Sequence, residues 1–297
     1  MKTLRKRFPV PVSIVLTILF PLIGGLAALP LLLFEELITD NLYLAQLIAE
    51  VATFVIFLLI TLLLGMQFIF RPSHKPLREH ILPCLAILVV YTFALLESVI
   101  LCMDQPLQPP IKILWYVLCM LAVGITEELV FRGLITRMLF AKYSRSSVGV
   151  WISVLLSSLL FGLMHLSNAA GGVIDLGSIL VQVVGAAALG ICLSAIYLRT
   201  GSLWTVALLH GYMDFCGLIS SGVFAADSMQ DLLGGYSAGN LIAAVGYAAL
   251  GIFLLRPSKM RALTDPKAEP SNGQIVGLMV VVMLLTGLLS AVAVLSI

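Results

Sequence analysis

Roughly nine separate stretches of about twenty apolar residues run through this chain, and a helix of that length crosses a hydrocarbon core of about 30 Å. They lie near Val10 to Leu33, Leu47 to Phe70, Ile81 to Cys102, Ile111 to Leu134, Val148 to Leu166, Ile174 to Leu198, Leu203 to Phe224, Ala238 to Leu255 and Ile275 to Ile297. Backbone polar groups in lipid must be satisfied within the segment, which favours helices. The expected fold is therefore all-α, a polytopic membrane helical bundle of about nine transmembrane helices. Composition agrees: of 297 residues, 61% are hydrophobic and 11% charged, where soluble domains carry about 25% charged residues. These values, with a mean hydropathy of +1.11, exclude a disordered chain, a nucleic-acid partner and a secreted disulfide scaffold. Cys84, Cys102, Cys119, Cys192 and Cys216 form no CxxC pair and read as small buried hydrophobes. The first stretch follows Lys2, Arg5, Lys6 and Arg7 but is long and lacks a convincing cleavage site. It reads as a retained span and not as a secretory signal.

Basic residues alternate between connections. Four precede the first span, and further groups fall at Arg71, Lys75 and Arg78, at Arg137, Lys142 and Arg145, at Arg199, and at Arg256, Lys259, Arg261 and Lys267. The intervening connections hold one lysine, Lys112, and carry Glu35, Glu36, Asp40, Asp104, Asp175, Asp227 and Asp231. By the positive-inside rule the N-terminus is expected in the cytoplasm, with the chain in the cytoplasmic (inner) cell membrane. Nine spans would put the C-terminus outside.

Ionisable residues left inside or near the spans are Glu50, Glu97, Glu127, Glu128, Arg132, His165, His210 and Asp214. Glu50 and Glu97 lie near helix ends on the acidic side, where a carboxylate is expected to reach the interface. The other six have helical spacings. Glu128 and Arg132 are i, i+4 neighbours, which allows a bidentate pair, while Glu127 projects about 100° away and is left available. Phe161 and His165 share a face, as do His210 and Asp214, so that Asp214 can reach the ring and fix its tautomer. Each spacing alone has a bland reading, a solvated helix end or a structural histidine. Together, four charged groups at about 2.5 to 3.5 kcal/mol each are too costly to scatter through hydrocarbon and must converge on one another or on water. Two imidazoles and a spare carboxylate around a wet pocket can deprotonate water and stabilise an oxyanion, or hold a divalent metal that does both.

No HExxH, Walker A or GxGxxG occurs, and the one GxSxG string, Gly235 to Gly239, follows no strand pattern, so zincin, nucleotide-hydrolase, Rossmann and serine-triad chemistries have no support. No internal repeat and no matched pair of broken helices favours a transporter, although a proton-coupled transporter also accommodates buried Glu and His.

The set Glu127-Glu128-x3-Arg132, Phe161-x3-His165, His210-x3-Asp214 resembles the motifs of the CAAX-protease and bacteriocin-processing (CPBP, or Abi) family of intramembrane proteases, which includes the eukaryotic Ras-converting CAAX endopeptidase. The resemblance implies three parts: N-terminal membrane helices over 1–110, a four-helix catalytic core over 111–224, and C-terminal membrane helices over 225–297. It implies hydrolysis of a peptide or membrane-protein substrate at the bilayer. Glu127 would be the base on water, assisted by His165; Glu128 and Arg132 would brace the helices; His210 and Asp214 would face the oxyanion. The family has been described both as metal-dependent and as glutamate-dependent, so zinc or another divalent metal on Glu127, His165, His210 and Asp214 stays open. An ionised Asp214 cannot donate to an oxyanion and suits orienting His210 or binding a metal. The competing reading is a non-catalytic bacteriocin-immunity or peptide-binding membrane protein.

One geometric condition attaches to the site. If the fifth span starts at Val148, His165 stands about 25 Å along it, whereas Glu127 and His210 stand about 10 to 15 Å from the same side. Met138 to Ser147 is therefore expected to form an amphipathic helix, or the fifth helix to begin well below the membrane plane or tilt strongly.

Overall fold

A computed structural model of the chain describes residues 2–33, 41–171 and 175–264. Helices dominate: α1 Pro9–Ala28, α2 Leu42–Leu63, α3 Leu77–Leu101, α4 Pro110–Glu128, a π-helical segment Leu129–Thr136, α5 Arg137–Tyr143, α6 Ser147–Met164, α7 Leu176–Thr200, α8 Leu203–Gly217 and α9 Asn240–Leu254. Among the described residues the one β-type pairing is an isolated bridge between Leu107 and Phe224. The protein is an all-helical, multi-pass membrane protein.

The expected nine spans are not all recovered. Among the described residues six helical stretches are long and apolar enough to cross a membrane: Pro9–Leu31, Leu42–Leu63, Leu77–Leu101, Pro110–Tyr143, Ser147–Ala169 and Leu176–Thr200. The expected seventh and eighth spans are α8 and α9, of 15 residues each, or about 22 Å at 1.5 Å per residue. Ile275 to Ile297, expected as the ninth, lies outside the described residues.

Local signals set the boundaries. Pro9 and Pro110 occupy first-turn positions, where no backbone donor is needed. The side chains of Ser146, Asp175 and Ser202 each accept from a backbone N–H of the helix that follows. Between α7 and α8 the chain reverses within two residues. Gly201 ends α7 in the left-handed region at φ 67°, and Ser202 immediately caps α8.

The two ends of the bundle are tied separately. At the basic end, Arg5 donates to the Gly65 carbonyl, Ser73 to Thr200, Lys75 to Arg199 and Trp204 to Phe70. At the other end, Gln108 and Ala225 pair by backbone with Val223 and Pro106, and the Ser178 hydroxyl stands 2.8 and 3.0 Å from the carbonyl oxygens of Gly234 and Tyr236. Connections with the same charge character thus meet at the same end, as the alternation of Lys and Arg requires.

Helix α4 lies between α2 and α8, while α7 packs on α6 and α9. The crossing of α4 and α8 runs through two glycines. A Cβ on Gly124 would stand 2.5 Å from the Ala207 oxygen and the Gly211 nitrogen, and one on Gly211 would stand 2.7 Å from the Met120 oxygen. Small residues let membrane helices approach backbone to backbone, and this contact lies about one turn from Glu127, Glu128 and His210.

Candidate active site

The π-helical segment that follows Glu128 continues without a break into α5, so one helical rod runs from Pro110 to Tyr143. The Arg137 guanidinium stands 5.7 Å over the Phe68 ring, and the rod extends more than a turn past that level before reversing into α6. Glu127 is 16 residues before the end of the rod and His165 is 18 residues into the next helical run. The two therefore reach similar heights of about 24 and 27 Å from the reversal. The geometric condition is met because the Met138 to Ser147 region is largely helical and carries the turn well beyond the level of Phe68.

Glu128 is the centre of the polar cluster. Its Oε1 accepts from Arg132 at 2.7 Å and from His210 Nδ1 at 2.8 Å. Arg132 is 1% exposed and Glu128 0%. The guanidinium is permanently charged, so Glu128 is held as an acceptor and His210 carries its Nδ1 hydrogen toward it. The expected bidentate pairing is absent: Glu128 Oε2 and the second terminal nitrogen of Arg132 have no hydrogen-bond partner. Arg132 turns instead onto the Phe161 ring, 4.3 Å from its centroid.

Phe161 is the shared wall of the site. Its ring meets His165 edge-on at 5.1 Å, His210 at 5.8 Å and Phe131 at 5.0 Å. His165 Nδ1 lies 3.0 Å from the Phe161 carbonyl oxygen. A carbonyl only accepts, so Nδ1 carries hydrogen and Nε2 of a neutral His165 is an acceptor.

Asp214 does not hold His210 in the expected way. Nδ1 belongs to Glu128, and Asp214 approaches Nε2 at 3.7 Å, outside hydrogen-bonding distance. Glu127 stands at 3.8 Å from the same nitrogen. A hydrogen on Nε2 would face both carboxylates. Glu127, His165, His210 and Asp214 all line one cavity of about 510 Å³, while Glu128 and Arg132 lie behind its wall. Glu127 is thus a carboxylate exposed to the cavity, with its neighbour Glu128 committed to structural pairing.

The metal set that the resemblance leaves open meets a geometric obstacle. Among the described residues no three His, Cys, Asp or Glu side chains are grouped closely enough to hold a metal ion. The donors as placed do not fit a site that requires at least three converging protein ligands.

Glu50 is a correction to the sequence reading. It is 7% exposed and does not reach the interface; Gln46 donates to its Oε1 at 2.8 Å, and Oε2 has no partner. Glu97 is exposed, as expected. Sequence reasoning also passed over Gln46, Asn168 and Gln182, all of which line the cavity. Their signal was available as amide side chains within otherwise apolar runs.

A family model described as Type II CAAX prenyl endopeptidase Rce1-like matches residues 109–216. The matched stretch contains all six clustered side chains and supports the motif resemblance. No curated protein and no solved structure matches the chain.

Proposed function

We propose, from the match of residues 109–216 to the type II CAAX prenyl endopeptidase family model, that this membrane protein is an intramembrane endopeptidase in which Glu127 activates water against a peptide bond. The observation that carries this reading is a division of labour between adjacent carboxylates. Glu128 is sealed between Arg132 and His210, whereas Glu127 opens into a cavity shared with both imidazoles.

In the forward step Glu127 takes a proton from water, with His165 Nε2 accepting the second hydrogen of that water as a hydrogen bond. The water oxygen bonds to the scissile carbonyl carbon, and the carbonyl π pair moves to oxygen. His210, fixed by Glu128 through Nδ1, presents Nε2 to the developing charge. On collapse the carbonyl re-forms, the C–N bond breaks, and Glu127 returns its proton to the leaving nitrogen. Arg132 keeps Glu128 charged and in place. Asp214 borders Nε2 and sets its electrostatics.

The substrate class is a peptide or membrane-protein segment delivered from lipid, a prenylated C-terminal peptide being the form the family description suggests. The basic end of the bundle faces the cytoplasm in this reading, and the N-terminus with it.

The test uses detergent-purified full-length protein with fluorogenic hydrophobic peptides, farnesylated and unfarnesylated. Wild type is expected to cleave at least one and Glu127→Ala none. Equal cleavage by both removes Glu127 from the reaction, and saturable binding without cleavage identifies a peptide-binding protein instead.

A further inference from the structure

The proposed reaction places negative charge on the scissile oxygen, yet most of the motif side chains on the cavity wall cannot donate to it. Glu127 and an ionised Asp214 only accept, and Nε2 of a neutral His165 also accepts because Nδ1–H is directed to Phe161. His210 Nε2 is one potential donor, and it already faces two carboxylates. The site lacks a neutral donor among the motif residues.

Asn168 supplies one. After Met164 the chain tightens into a 3-10 helix over His165–Gly171. That geometry has about three residues per turn, so i and i+3 project in the same direction. Asn168 therefore stands over His165 on one face, and both line the cavity that holds Glu127, His210 and Asp214. The amide is oriented by a second element. Asn168 Nδ2 donates to Gln182 Oε1 on α7 at 2.9 Å, and Gln182 is 6% exposed and hydrogen-bonded to Tyr236. One amide hydrogen of Asn168 is spent on this anchor, which leaves the other for the cavity.

Resting on the protease reading, we propose that Asn168, positioned by Gln182, donates its second amide hydrogen to the oxyanion of the tetrahedral intermediate. No proton transfers to or from Asn168. The uncharged amide avoids the cost of adding another ion to a crowded buried site, and its fixed orientation needs no reorganisation as charge develops. Gln182 acts as a positioning residue through Asn168.

The experiment measures kcat and KM for wild type, Asn168→Ala, Asn168→Asp and Gln182→Met on a cleaved fluorogenic peptide. It also measures affinity for a peptidyl phosphinate, which imitates the tetrahedral anion, and for an uncleavable reduced-amide peptide. Asn168→Ala is expected to lower kcat by about 10²- to 10³-fold with little change in KM. Phosphinate affinity should fall by a similar factor while reduced-amide affinity holds. Gln182→Met should show the same pattern with a smaller loss. Asn168→Asp keeps the shape and exchanges donor for acceptor, so it should be at least as impaired even if the alanine variant folds poorly. An Asn168→Asp variant turning over like wild type, or losses confined to KM, overturn the inference alone. A wild type that cleaves no peptide overturns the protease reading and this inference with it.

Discussion

His210 donates from Nδ1 to Glu128 Oε1 at 2.8 Å, across 82 positions of sequence. The ring on α8 is thus aimed by a carboxylate on α4, and the same oxygen anchors Arg132 at 2.7 Å. One acceptor joins a buried cation, a candidate oxyanion group and the helix that carries Glu127. The consequences for stability and for turnover can be separated by mutation.

Removing only the carboxylate should be costly. Glu128→Leu leaves the Arg132 guanidinium buried without a counter-charge, and breaking a buried pair from one side costs about 3 to 5 kcal/mol. Thermal unfolding in detergent should show a large drop in midpoint. The double variant Glu128→Leu/Arg132→Met should regain most of that stability yet remain inactive, because His210 has lost its acceptor. A double variant that recovers turnover would show that the ring needs no holding.

At the crossing of α4 and α8, Gly124→Ala would push a methyl to 2.5 Å from two backbone atoms of α8. Backbone cannot yield as a flexible side chain does, so about 1 to 3 kcal/mol of overpacking is expected, together with a fall in kcat as Glu127 and Glu128 shift from His210. Gly25→Ala is the control, since its added Cβ meets nothing within 4 Å. It should leave both unfolding midpoint and turnover close to wild type.

Phe161 touches both imidazoles and the Arg132 guanidinium. Phe161→Leu keeps much of the apolar volume but removes the planar wall, and a displacement of about 1 Å at the reacting groups can cost about 10²-fold in rate. The expected outcome is a lower kcat in a protein that still unfolds cooperatively. Unchanged turnover would show that the imidazoles are held without the ring.

Stripping metal should leave cleavage intact. Because the donors do not converge, protein treated with a strong chelator and checked by elemental analysis is expected to retain its activity within about twofold. A loss restored by added zinc would assign the activation of water to a bound metal.

The polar residues of the cluster could be found in the sequence because lipid makes ionisable groups conspicuous, and their i, i+4 spacing gave each pair a common face. Rotational facing was harder to read. Glu50 lies near the start of the apolar run that hydropathy marks but about two turns inside α2, and the packing of α2 on α4 buries it. The π-helical segment was also hidden, since shifted backbone hydrogen bonds leave no mark on apolar periodicity over eight residues. The 15-residue lengths of α8 and α9 were missed because apolar loop residues extended the hydropathy signal past the helix ends.

Sequence by itself determined that the chain is helical and membrane-spanning, which connections share an end, and which six polar side chains demanded a common explanation. These follow from transfer free energies and from the helical repeat, which act locally along the chain. Tertiary structure alone decided that Glu128 and not Asp214 orients His210, that Glu127 keeps an open face on the cavity, and that Asn168 stands over His165 with Gln182 behind it. Those are relations between helices distant in sequence, set by glycine-level backbone approach and by the height at which each rod turns, and no one-dimensional pattern encodes them.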